Sequence, residues 1–166
     1  MTQTAAPAAA APSVKPERRA LCFESLEELL ADAEAMLAAP SVRTTGNWSA
    51  GRIVDHVGRT IRQSVEGFVG GRAVLPVRWL SKAFFLAVAN RPFPAGIKFP
   101  GFAKAALEPD DVALDEAVQR LRDAVALARS KKMTAPSPLA GKLSDAQWEK
   151  LHCRHAELHF SFVHSG

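Results

Sequence analysis

Residues 144–162 read SDAQWEKLHCRHAELHFSF. Ser144 followed three residues later by Gln147 is a capping box, so the spacing predicts a helix that starts here. Trp148, Leu151, His155, Leu158 and Phe162 then recur at three- and four-residue steps, the rhythm of one helical face. Four of the chain's five histidines fall in the last fifteen residues: His152, His155, His159 and His164. His155 takes a seam place that the pattern otherwise gives to apolar side chains. His159 lies about one turn on and His152 almost one turn back, so the three project from one side of the helix.

Working outward, Leu114, Val118, Leu121, Val125 and Ala128 form a second seam, in a helix predicted over about 111–130. Upstream, Asn47 or Ser49 caps a helix whose Ile53, Val57, Ile61, Val65 and Phe68 stripe runs to Gly70-Gly71. The first helix opens with the capping box Ser25-Leu26-Glu27-Glu28. It carries Leu26, Leu29, Leu30, Ala33 and Leu37 on one face, and Pro40 stops it. A shorter helix is predicted from Pro76 to about Ala89. The stretch 90–102 holds Pro92, Pro94, Gly96, Pro100 and Gly101, too many breakers for a regular element. Its Phe93, Phe99 and Phe102 mark it as a lid over the histidines, and the competing reading is a partner-binding or membrane-touching patch favoured by the neighbouring Arg78, Lys82 and Arg91. Alanine and leucine number 46 against 22 for valine, isoleucine and threonine, and no period-two strand is seen. The expected fold is all-α: a four-helix bundle with a short extra helix and a Pro-rich loop.

Residues 1–19 are rich in Ala and Pro and read as a disordered tail, and 20–166 as one domain. Hydrophobic residues make up 48% and charged residues 23%, which excludes wholesale disorder. The net charge is +4, but the basic residues are scattered. Asp55 with Arg59 and Arg62 with Glu66 stand four apart, which describes a solvated helix face rather than a nucleic-acid patch. No apolar run reaches the ~18 residues of a membrane span. The Arg18-Arg19 pair is followed by an acidic stretch without an apolar core, so no export signal is expected. Two distant cysteines read as reduced thiols in a cytoplasm.

Two imidazoles at i and i+4 can converge on one divalent ion, and a third ligand must come from another helix. His56 is the one histidine outside the terminal stretch. It lies beside the Ile53–Val57 stripe, with Thr60 and Gln63 on nearly the same face. On pattern alone, a metal site and hydrogen-bonded core histidines remain equal readings. Cys153 and Glu157 turn away from the histidine side, Asp55 diverges from His56 by about 100° on a helix, and Cys22 has no histidine argued beside it. His152 is the candidate catalytic or substrate-facing group. Trp48 and Trp148 read as core residues at helix starts.

Leu151-His152-Cys153-Arg154-His155-Ala156-Glu157-Leu158-His159-Phe160 resembles the closing metal-binding helix of the DinB/YfiT-like superfamily. Gly46-Asn47-Trp48-Ser49, leading to His56, resembles that superfamily's first metal-binding helix. The middle of the chain and Pro138 to Trp148 resemble an uncharacterised branch, the domain-of-unknown-function family DUF1569. The resemblance covers about residues 20–162. It implies a bundle that binds a divalent metal, usually zinc or nickel, through His56, His155 and His159. Some relatives are thiol S-transferases using low-molecular-weight thiols such as bacillithiol, mycothiol or glutathione. Others are maleylpyruvate isomerases, and the branch resembled here has no established reaction.

Three neutral imidazoles without a carboxylate leave such an ion formally doubly positive with open positions, the mark of a catalytic rather than a structural site. The expected function is therefore metal-dependent activation of a thiol or water for transfer or hydrolysis on a small-molecule substrate. The alternative is a non-catalytic bundle that binds ligands or partners. No nucleic acid and no membrane are expected as partners, and a homodimer would accommodate the surplus of apolar residues.

Overall fold

The computed structural model describes residues 16–69, 76, 79–83, 93 and 109–166. Among them are four long helices, α1 (Leu26–Ala38), α2 (Ala50–Glu66), α3 (Leu114–Ser130) and α4 (Asp145–Phe160). The fold is mostly helical. Residues 79–83 and Pro76 are also helical, and the rest of the short helix expected over 76–89 lies outside the described residues.

The chain is not purely α. Strands β1 (Val42–Thr44) and β2 (Val163–Ser165) pair antiparallel, with Arg43 opposite His164. Each has three residues, too few to display an alternation, which is why the sequence shows no strand. The ladder ties the α1–α2 connection to the chain end, and Ser41 and Gly166 continue it by exchanging backbone hydrogen bonds of 3.1 and 3.2 Å.

Caps explain where the helices begin. Ser25, Ser49 and Ser144 each accept a backbone N–H from the first turn of α1, α2 and α4. The box at Ser144 is reciprocal, with the Gln147 side chain accepting from Ser144 N at 2.9 Å. At α1 the return arm lands one residue earlier, Glu28 accepting from Glu24 N at 2.8 Å. Helix α1 ends at Ala38 because Ala39, which precedes Pro40, takes extended angles. Helix α2 ends at Gly67, not at the expected Gly70-Gly71. Gly67 has φ 107°, which a side chain would resist. Helix α3 starts at Leu114, three residues after the expected Asp111.

The core forms where the stripes meet. α1 and α2 each pack on both α3 and α4, and α2 against α3 is the most extensive contact. Leu26, Leu29, Ala33 and Met36 are buried from α1, whereas Leu37 is 40% exposed. Steps of three, four and three keep Met36 in line with the other buried residues, and Leu37 is rotated off that line. Ile53, Val57 and Ile61 are buried from α2, and Val118, Leu121, Val125 and Ala128 from α3, with Ala117 and Ala124 filling the narrow seam.

The α2–α3 approach depends on two glycines. A Cβ on Gly51 would collide with the Val112 carbonyl oxygen, while one on Gly58 would sit 3.1 Å from Leu121 Cα. Gly51→Ala should therefore cost about 1–3 kcal/mol despite alanine's helix preference. Gly58→Ala should cost less, because the milder contact is partly offset by that preference. Thermal melts of the two variants check the order, and a Gly51→Ala protein as stable as the parent would contradict the packing.

Asp55 corrects the solvated-face reading of Asp55 and Arg59. It is 3% exposed. Its carboxylate accepts from Arg120 Nη1 at 2.9 Å, Asp110 N at 3.1 Å and Arg59 Nη2 at 3.4 Å. It thus fastens the segment before α3 to the side of α2. Among the described residues no helix is long and apolar enough to cross a membrane.

Candidate metal centre

Helices α2 and α4 bring His56, His155 and His159 together. One ring nitrogen from each lies within 4.8 Å of the others. The ring centroids of His56–His155, His56–His159 and His155–His159 are 4.9, 4.7 and 4.6 Å apart, all edge to face. His56 Nε2 and His155 Nε2 approach to 3.1 Å. Two nitrogens each about 2.0–2.1 Å from one tetrahedral ion stand about 3.3 Å apart, so this pair is already near ligand spacing. All three donors are imidazoles, which suit a borderline ion such as zinc or nickel.

Thr60, one turn after His56, sets the tautomer of His155. Its hydroxyl donates to the Val57 carbonyl at 2.9 Å, and its oxygen lies 3.4 Å from His155 Nδ1. With its proton committed, the oxygen is free to accept from Nδ1–H. That leaves Nε2 of His155 with the lone pair on the side facing His56.

Trp48 is a site residue that the sequence reading placed in the core. Its indole stacks on His159, with centroids 5.6 Å apart and planes 6° apart, and meets His56 edge to face at 5.2 Å. The Arg52 guanidinium carbon lies 5.3 Å from the centroid of the same ring. The indole wall fixes the plane of His159 as Thr60 fixes His155. The signal was Trp48 lying one residue before the Ser49 cap, which places it at the mouth of α2 beside His56.

His152 is not part of the convergent group. It is 2% exposed and stacks on Trp148 at 5.2 Å, and Trp148 stacks in turn on Phe68 at 5.7 Å. Its Nε2 has no hydrogen-bond partner among the described residues. The seam predicted for α4 is only partly the buried one: Trp148 is buried, while Leu151, His155, Leu158 and Phe162 keep some exposure. A second buried line, Cys153, Ala156 and Phe160, packs inward as well.

Burial pulls the His152 pKa down to about 3. Burial, with the nearby His56 and Arg18 charges, takes His159 to about 3 as well. Burial and the neighbouring imidazoles hold His155 well below its usual range. His155 and His159 are thus neutral at pH 7, as metal-receiving imidazoles must be. The sign for stability follows. The unfolded imidazoles protonate below about pH 6.5 and the folded ones do not, so stability is full above that pH and is lost as pH falls toward 3. The metal-free protein therefore loses stability progressively as pH falls below about 6.5. Melting in chelator between pH 7 and 5 should show a steep fall, and a flat profile would contradict the burial.

Cys153 is buried and Cys22 exposed. Burial, with the carboxylate of Glu149, pushes the Cys153 thiol up to about 12, so the nucleophilic thiolate is scarce there. At pH 8 a thiol reagent should label one cysteine per native chain and two after denaturation, as counted by mass spectrometry. Native labelling of both would refute the placement. Glu157 turns away from the histidines, as its position predicted, and bonds to Phe23 N instead. The lid expected over 90–102 lies outside the described residues except for Phe93, which is buried.

Among known proteins, no curated sequence and no solved structure matches this chain. The family model described as "Protein of unknown function (DUF1569)" matches residues 15–165. Because that match runs through both histidine motifs and nearly the whole chain, the protein belongs to DUF1569, a family whose function is not characterised.

Proposed function

We propose that this protein is a divalent-metal-dependent enzyme on a DinB-like four-helix bundle, which activates a thiol or a water for transfer to, or hydrolysis of, a small substrate. The observation that supports this most directly is the convergence of His56, His155 and His159 from two helices far apart in sequence. Three imidazoles without a carboxylate would hold zinc or nickel and leave its positive charge uncompensated. When bound, such an ion supplies Lewis-acid polarisation and lowers the pKa of a thiol or water.

The chain's own groups have separate parts. His56, His155 and His159 would hold the ion. Thr60 and Trp48 keep His155 and His159 oriented, so the set needs little reorganisation. His152, near enough to His155 to influence it, has an unpartnered Nε2 and is the side chain that would accept and pass on a proton there. Buried Trp148, backed by half-buried Phe68, keeps water from its stacked face.

The test is conjugation of low-molecular-weight thiols, and hydrolysis, over a panel of small electrophiles. Zinc- or nickel-loaded protein is compared with chelated protein and with His155→Ala. Metal-dependent, saturable turnover that is lost in His155→Ala supports the enzyme. Stoichiometric metal without turnover on the panel favours a ligand-binding bundle. Loss of turnover in His152→Ala with metal content intact would separate the proton role from the ligands.

A further inference from the structure

The segment before α1 crosses the C-terminal end of α4, and its backbone is fastened on both sides of Arg18. Thr45 Oγ1 donates to the Glu17 carbonyl at 2.6 Å, and Arg19 N donates to the Ser161 carbonyl at 2.8 Å. The Arg18 side chain is held as well. Ser161 Oγ donates its proton to the Leu158 carbonyl at 2.7 Å, so its oxygen is free to accept from Arg18 Nε at 2.8 Å. Nη2 reaches the same Leu158 carbonyl at 3.5 Å, and the guanidinium carbon lies 4.9 Å from the centroid of the Phe162 ring.

An exposed arginine ordinarily keeps its rotamer freedom or gives it up for a carboxylate. Arg18 is exposed and fixed, yet its partners are a hydroxyl, a carbonyl and a ring, all neutral. The nearby carboxylates are engaged elsewhere: Glu17 pairs with Arg43 at 3.2 Å and Glu157 with Arg154 at 2.9 Å. Capping the end of α4 would need only Nε and one hydrogen of Nη2. Nη1 donates to no described residue, which leaves the end of the guanidinium fork open.

Its place gives that open fork a use. Leu158 directly precedes His159 and Phe162 follows it by three residues, so the contacts of Arg18 straddle this histidine. The Arg18 charge is one cause of the lowered His159 pKa. A Cβ on Gly46 would lie 3.7 Å from the Phe162 ring, and two residues further on Trp48 stacks on His159. Asp55 and Glu157, the buried carboxylates of α2 and α4, bond to Arg120 and to Phe23 N and do not compete for the guanidinium.

We propose that Arg18 is the anion-recognition group of this centre and binds a carboxylate on the small substrate whose reacting end lies at His56, His155 and His159. The proposal rests on the function proposed above and narrows its substrate class to carboxylate-bearing molecules. A single guanidinium with one free edge matches a planar, singly charged carboxylate. Because its backbone and side chain are already held, little ordering remains to be done on binding.

The test uses nickel-loaded protein, whose absorption changes when a thiolate joins the ion. The probes are ω-mercaptobutanoate and ω-mercaptohexanoate, each against its own amide, and both acids are too long to chelate the ion comfortably through both ends. The parent should bind the acids about tenfold more tightly than the amides. Arg18→Gln should bring that ratio close to one, and Arg18→Lys, which keeps the charge but loses the fork, should keep part of it. Metal content and helical circular dichroism should be unchanged in both variants, and a lowered melting point with the ratio intact would reduce Arg18 to a helix cap and overturn the proposal. Acids and amides that bind the parent equally would overturn it too, while leaving thiol binding at the metal intact. No spectral change with any of the thiols would refute thiol activation itself. Calorimetry with hexanoate against hexanamide then decides for Arg18, and equal affinities, or an acid preference that Arg18→Gln retains, would overturn its role.

Discussion

His155→Ala is expected to deprive the protein of stoichiometric metal. Removal of a supporting partner alone typically lowers metal affinity by about 10–100-fold, and loss of a ligand should exceed the upper figure. His155 is the central member of the group: its Nε2 is the nitrogen 3.1 Å from His56 Nε2, and its Nδ1 faces Thr60. His56→Ala and His159→Ala should have comparable effects, and the double variants should add little, because two remaining imidazoles already bind poorly. Thr60→Val should lie in the supporting range. Elemental analysis of protein purified without a histidine tag measures all of these. If His56→Ala retains full metal while His155→Ala loses it, the three-histidine site is wrong, and His152 becomes the ligand to test. Chelation of the parent should lower its melting temperature and leave its helical circular dichroism intact at room temperature. The buried residues of four helices hold the fold by themselves, and the ion adds stability by mass action, about 2.7 kcal/mol at a hundred times its Kd.

Glu157→Ala should be the most damaging substitution away from the histidines. Glu157 is 3% exposed, and its Oε1 accepts from Phe23 N at 2.6 Å and from Arg154 Nη2 at 2.9 Å. Arg154 Nη2 also donates to the Phe23 carbonyl at 2.6 Å. The pair therefore clamps the segment before α1 onto α4, where Phe23 meets Phe160 edge to face. Burial raises the Glu157 pKa, and the Phe23 N–H and the Arg154 charge oppose that rise. Alanine would leave the buried guanidinium without a counter-ion and Phe23 N without an acceptor. The cost is about 3–5 kcal/mol, and at about 2–4 °C per kcal/mol the melting point should fall by roughly ten degrees or more. Replacing both partners, Arg154→Met with Glu157→Leu, should recover most of the loss, because no charge is then stranded. Metal content should stay at the parental level in both. A Glu157→Ala protein that melts within a degree of the parent would refute the clamp.

Local spacing was enough to place the start of each helix capped by a serine and to put His155 and His159 on one turn. Caps and i, i+4 relations act between neighbours in the chain, so they are written in the sequence itself. The same rules placed Leu37 in the α1 stripe and Asp55 on a solvated face. Both failed because burial depends on which helix arrives opposite, and Met36 and Asp55 are the residues that meet a neighbour. The two strands escaped notice because a three-residue strand exists only through its pairing. The site divides in the same way. Two of its histidines are local, but His56, the indole of Trp48 and the hydroxyl of Thr60 reach them only when α2 packs on α4. Whether these imidazoles make a ligand set or a few satisfied core residues is a question of distances below about 5 Å. Such distances are set by the packing of side chains between helices, a property of the folded chain that no single segment contains.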